Sequence, residues 1–342
     1  MPADTHATPP LPGLSPVAGK PIIARFDGGA LSSDGGLLAL REIEERLGIA
    51  RRLAACIDDP RAPDRIQHSL ADMLRFRLLM IAAGYEDGND AGSLRHDPLF
   101  KLASGRLPDA AALCSQPTLP CLENTPGRRE LVRMARTMVA LYCASFRQVP
   151  RRITLDIDDT FDTVHGGQQL RLFNAYCDEY GFQPIVVFDA DGRPVAAMLR
   201  PARRPTGAEA RAFLRRLVVE TDGTARGIYE NIYCRRGQAE NHIKAWKRHL
   251  TADRTSCCRA AANQFRLMLH TGAYWLLWSL CSLMPKRSTW RVAQFDTLRL
   301  RLVKLATRVV ALKTRVMLHL PSACPDKAIL RLALERLPRL AC

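Results

Sequence analysis

Apolar positions recur at helical spacing through the first part of the chain and at alternating spacing in the middle. In "SSDGGLLALREIEERLG", Leu37, Leu40, Ile43 and Leu47 fall on one helical face; the Ser-Ser-Asp run reads as a cap and Gly48 as a stop. "HSLADMLRFRLLMIAAGYED" predicts a second amphipathic helix, and a third begins near Gly127, after a Pro/Thr-rich turn. Residues 21–150 therefore read as helices joined by short polar turns. The period then changes. In "RRITLDIDDTFD", Ile153, Leu155 and Ile157 point one way, and Thr154, Asp156 and Asp158 the other. That is a strand with one buried face and one acidic face, ending at a turn. "QQLRLFNAYCDEYG" and "FQPIVVFDADGRPVAAMLRP" continue as strands, with "DADG" as a hairpin turn. "TGAEARAFLRRLVVE" predicts a helix capped by Thr206 with Glu209 three residues on. After "TDGTA", the stretch from Ile228 to about Leu250 reads as one helix that tolerates Gly237.

Composition narrows the class. Of 342 residues, 47% are hydrophobic and 25% charged, which excludes a disordered chain. The first twenty residues are Pro-rich and read as a loose tail. Leu267–Met284 is the one membrane candidate. At 18 residues it sits at the lower limit for a span. It contains His270 and two serines and is flanked by Arg266 and by Lys286-Arg287, so a helix buried on most sides is expected, with no membrane partner. Eleven cysteines include no CxxC pair, which points to reduced thiols in a cytosolic protein rather than a zinc framework. Net charge is +16, and residues 225–320 hold 18 Lys/Arg against 4 Asp/Glu. A field of that sign favours a polyanion, nucleic acid above all.

Two stretches carry candidate chemistry. In "YCRRGQAENHIKAWK", at 100° per residue, Tyr233, Arg236, Glu240, Lys244 and Lys247 fall within a stripe of about 80°, with Glu240 at its centre. One reading is a ladder of exposed ion pairs. The other makes Glu240 a metal ligand and its neighbours phosphate contacts. In "LDIDDTFDTVHGGQQ", Asp156, Asp158, Asp159 and Asp162 crowd into seven residues. Carboxylates so close repel unless a cation neutralises them, and oxygen-only donors suit Mg²⁺ or Mn²⁺.

The spacing Y-x2-R-x3-E-x6-K of Tyr233, Arg236, Glu240 and Lys247 resembles the signature around the last catalytic acid of DDE transposases of the insertion-sequence 4 superfamily. "FDGGALSSDGGLLALREIEERLG", "GYEDGNDAGSLRHDPLFKLA", "LDIDDTFDTVHGGQQ", "NQFRLMLHTGAYWLL" and "TRVMLHLPSACP" extend it to the 1380 group of bacterial insertion sequences, over about residues 22–325. The resemblance implies an α/β fold, a ribonuclease H-like core with a mixed sheet flanked by helices. It divides the chain into a disordered tail (1–20), a helical region with a role in DNA-end binding (21–150) and the core with basic C-terminal helices (151–342). It implies Mg²⁺- or Mn²⁺-dependent cleavage and strand transfer at terminal inverted repeats, a homodimer in a synaptic complex, and a cytoplasmic, nucleoid-associated setting. Asp158, in Asp158-Asp159-Thr160, carries over as the first catalytic acid and metal ligand, with Asp156 and Asp159 as alternatives. Glu240 carries over as the last, and Tyr233, Arg236 and Lys247 as its DNA-contacting neighbours; Lys244 joins them on the stripe. The chain departs from the family between residues 220 and 233. No strand bearing a middle Asp is found there, the β-rich insertion is missing, and only 82 residues separate Asp158 from Glu240. Asp222 is the nearest substitute. An internally shortened, inactive DNA-binding relative is therefore the alternative, with an exposed sheet edge where the fourth strand belongs.

Overall fold

A computed structural model describes residues 11–220 and 236–340. A two-residue strand, β1 (Leu31–Ser32), precedes seven helices: α1 (Leu37–Leu47), α2 (Ile49–Ala54), α3 (Leu70–Ala83), α4 (Ala91–Leu94), α5 (Pro98–Ala103), α6 (Thr118–Asn124) and α7 (Arg128–Ala144). The expected face of α1 is buried, and Gly48 ends the helix at φ 61°, where a side chain would be strained. The Ser-Ser-Asp run does not cap it: α1 starts after Gly36 with no side-chain cap bond. Asp34, 1% exposed, instead accepts from Lys304 Nζ at 2.7 Å and from the Tyr85 hydroxyl at 2.9 Å. The second helix, α3, is less amphipathic than its sequence implies, because every side chain from Met73 to Ala83 except Arg75 is buried. Even Arg77 is enclosed, its Nε 3.3 Å from a Glu123 oxygen.

Six strands follow: β2 (Leu155–Asp159), β3 (Asp162–Thr163), β4 (Leu172–Asn174), β5 (Glu179–Phe182), β6 (Ile185–Asp189) and β7 (Pro194–Met198). They form two three-stranded sheets, ordered β2-β6-β7 and β3-β5-β4. Both sheets are antiparallel throughout, so the mixed sheet expected from the sequence is not found among the described residues. β2 lies at the edge of its sheet, in register Asp156 with Phe188 and Asp158 with Val186. The "DADG" turn joins β6 to β7. Asp189 Oδ1 accepts from the amides of Asp191 (3.0 Å) and Arg193 (2.8 Å), and Gly192 takes φ 78°. Helix α8 (Gly207–Glu220) opens with the expected capping box, Glu209 N to Thr206 Oγ1 at 3.2 Å and Thr206 N to Glu209 Oε2 at 2.9 Å.

Helix α9 (Arg236–Lys244) runs into a π turn (Ala245–His249). Then come α10 (Ala260–Ser282), α11 (Phe295–Leu298), a second π turn (Arg299–Val303), β8 (Thr307–Ala311), β9 (Val316–His319) and α12 (Lys327–Arg336). The C-terminal part is thus not only helical: β8 and β9 pair with each other, and β8 pairs with β1. Almost all of α10 is buried, as expected, and no helix among the described residues is long and apolar enough to cross a membrane. α10 packs against α1, α3, α6, α7 and β7, and one continuous set of buried apolar side chains runs from Leu37 to Leu337. Position 150 therefore marks a change of secondary structure within a shared core.

Candidate active-site cleft

β2 ends where its carboxylates leave the sheet. Asp156 and Asp158 share one face, and α9 packs across β2 and β6 on that face. Asp156 is buried beneath it, 3% exposed. The ring of Phe188, directly across from Asp156, lies 5.5 Å from that of His242 on α9. The expected acidic face is therefore covered by a helix. Burial lowers the His242 pKa from its ordinary value, against the pull of Asp156.

Beyond the covered part, a cleft of about 320 Å³ opens between the strand end and the helix. It is lined by Asp158, Asp159 and Thr160 from the strand end, and by Glu240, Ile243, Lys244 and Arg248 from the helix. Asp158 and Asp159 are half-buried; Glu240, Lys244 and Arg248 are exposed. Asp158 Oδ1 accepts from the Asp159 amide at 2.9 Å, and Asp159 accepts from the Gln183 side-chain amide. Among the described residues, Lys244 and Arg248 have no carboxylate partner, and Glu240 makes no ion pair. The exposed ion-pair ladder is not formed there.

Asp158, Glu240 and Lys244 thus come together. Lys247 goes elsewhere: its Nζ lies 3.0 Å from Asp162 Oδ1, donates to Thr160 Oγ1 at 3.3 Å and also donates to the Phe161 carbonyl. Asp162 is fully buried, and burial pushes its carboxyl up to about 6 despite the Lys247 ammonium. The π turn explains the exchange. On a straight helix Lys247 sits about 20° from Glu240 and Arg248 about 80° away. A π turn advances by only about 80° per residue, which brings Arg248 to within roughly 10° of Glu240 and swings Lys247 to about 80° away. Arg248 was missed because nothing in "KAWKRHL" announces a π turn. Tyr233 and Asp222 lie outside the described residues, and of Arg236 only its place at the start of α9 is described.

Among the described residues, no three Asp, Glu, His or Cys side chains are grouped to hold a metal ion. The acids lining the cleft are oxygen donors, however, and Mg²⁺ is commonly bound by one or two carboxylates together with water and substrate phosphates. Such oxygen donors are of the kind that would fit an ion shared with a phosphate substrate, and Asp158 and Glu240 are the residues that would hold it.

A cleft lined by acids from a strand end and a helix, with two cations that have no acid partner among the described residues, suits the handling of phosphodiesters. The chain belongs to the DDE transposases: the family described as transposase DDE domain group 1 matches residues 14–226 and 219–342. DDE transposases are generally dependent on divalent metals and act on DNA. No curated protein and no solved structure matches the chain.

Proposed function

We propose that this transposase cleaves DNA at the ends of an insertion sequence of the 1380 group and joins the freed 3′ ends to a target, using Asp158 and Glu240. The observation that carries this reading is the convergence of the two acids, distant in sequence, in one cleft with Lys244 and Arg248. The sheet order β2-β6-β7 followed by α8 supports a ribonuclease H-like core, with its first acid on β2. Asp158 is the preferred first acid. It reaches the cleft on the face covered by α9, whereas Asp156 is buried under that helix and Asp159, the next residue, belongs to the opposite face of the strand. Divalent ions bound at the carboxylates would activate the attacking oxygen and stabilise the leaving one. The chain's own residues orient the phosphodiester: Lys244 and Arg248 supply donors to its oxygens, and Tyr233 and Arg236 extend that contact. Lys247 acts by holding the strand-end loop. The reading includes terminal inverted repeats as the DNA partner, a homodimer in a synaptic complex, and a nucleoid-associated setting.

The test is incubation with element-end DNA and Mg²⁺ or Mn²⁺, scored for nicks and strand-transfer products. Glu240→Gln is expected to abolish products while DNA binding persists. Nicking at wild-type rate by that variant would remove Glu240 from the site.

A second reading, which the family match does not favour, is a shortened DNA-binding relative without catalysis. The family match falls into two stretches that overlap at residues 219–226, where the middle acid and its strand are expected. Wild-type protein that binds element ends, yet yields no product with either metal, would establish that reading over the first.

A further inference from the structure

A second basic cavity, sharing no residue with the active-site cleft, lies among α7, the β6–β7 turn, the C-terminal end of α10 and the end of the chain. It encloses about 630 Å³, within the size range of small-ligand sites. Six cations line it: Arg147, Arg193, Lys286, Arg291, Arg336 and Arg339, and no carboxylate does. Arg193 is matched by Asp189 and Asp191 at 2.6 and 3.0 Å. The other five have no carboxylate partner among the described residues. Arg291 donates to the Cys281 and Ser282 carbonyls and Arg336 to that of Leu283, so these two also close the end of α10. A guanidinium has five N–H donors, and these contacts leave several unused.

Five cations without a carboxylate partner around one cavity set up a positive field there, and their spare N–H groups suit a polyanion with several acceptor oxygens.

We infer that this cavity is a second DNA-backbone site, in which phosphate oxygens accept from Arg147, Lys286 and Arg339. The inference rests on the DNA-processing reading proposed above and extends it to a site remote from the chemistry. Its position suits the role. Asp189 pairs with Leu155 and Ile185 with Asp159, so the Arg193 turn and the active-site cleft lie at opposite ends of β2. Four residues of strand span about 13 Å, a distance that roughly four base pairs of duplex cover along its axis.

The test compares wild type with the double variant Lys286→Gln, Arg339→Gln, measuring affinity for a labelled mixed-sequence duplex as salt is raised. Both side chains are exposed, and a thermal melt checks that the fold is kept. Each neutralised phosphate contributes about 0.9 to the slope of log K against log salt, so the variant's slope should be shallower by roughly 1.8. Wild type should then lose about twelvefold more affinity than the variant between 50 and 200 mM salt. Duplex binding with equal slopes in wild type and double variant overturns the cavity's role and leaves the active-site reading standing. If the slopes are equal but inorganic phosphate raises the melting temperature of wild type only, the ligand is a free phosphate and the DNA assignment falls. Failure of wild type to bind the duplex at all overturns both readings.

Discussion

Four aspartates of "LDIDDTFD" look alike in the sequence, and burial separates them. Asp158 and Asp159 line the cleft; Asp156 lies under α9; Asp162 is enclosed against Lys247. The sequence could show that acids crowd here but not which ones a helix from 80 residues later would cover. The burial of Asp162 gives it a pH signature. Its folded carboxyl holds its proton up to about 6, against an ordinary value of 3.8. Between those values the folded state binds more protons than the unfolded one, so stability from this source is present at low pH and falls as pH rises through about 6. Urea unfolding of the wild type, corrected for other groups by comparison with Asp162→Asn, should show a loss of order 1–3 kcal/mol between pH 4 and pH 7. The Asn variant should lack that component. Equal pH dependence in the two proteins would mean that Asp162 is not the buried acid described here.

At the scale of elements, the most legible features were those with local causes. The buried face of α1, the "DADG" turn and the Thr206–Glu209 box each depend on residues within a few positions of one another, and each formed where expected. The π turn at Ala245–His249 and the two-residue strand β1 depend on distant packing, and neither leaves a periodic trace. The seating of α9 is of this second kind. Gly192, at φ 78°, comes so close that an added Cβ would stand 2.3 Å from His242 Cε1. His242 is in turn held by the Tyr274 hydroxyl at 3.2 Å and by the ring of Phe188. Gly192→Ala therefore combines a strained backbone with a clash, and should cost about 2–4 kcal/mol in chemical unfolding. In the double variant with His242→Ala, the clash is gone but the strain remains. The two losses should fall short of additivity by about 1 kcal/mol or more. Strict additivity would show that the turn and α9 do not touch. Because Glu240 is two residues from His242, the single variant should also lower nicking wherever the wild type shows it.

Across the whole molecule, sequence-distant parts complete one another. The basic excess of residues 225–320 is partly spent within the molecule, mostly on buried acids and once, at Arg254, on the surface. Lys247, Arg254, Arg266 and Lys304 pair with Asp162, Glu86, Glu123 and Asp34, all outside that stretch. What remains outward includes Lys244 and Arg248 at the cleft and Lys286 at the second cavity. The same interleaving governs the core. Gly35 and Gly36 donate to the carbonyls of Leu305 and Val303 at 2.8 and 3.0 Å, and a Cβ on Gly36 would stand 1.7 Å from the Leu302 carbonyl oxygen. The "SSDGG" motif is thus a clasp between the two ends of the chain. The sequence suggests a cap there, because the partner segment at Val303–Leu305 is some 270 residues away. α10 fills the space between α1, α3, α6 and α7, which the helical region cannot fill from its own sequence. Residues 21–150 expressed alone should therefore lack a stable core despite their strong helical pattern. Circular dichroism should show partial helix without a cooperative thermal transition, whereas residues 11–342 should melt in one. A sharp transition in the fragment, with dispersed amide signals by NMR, would instead establish the helical region as a domain that folds by itself.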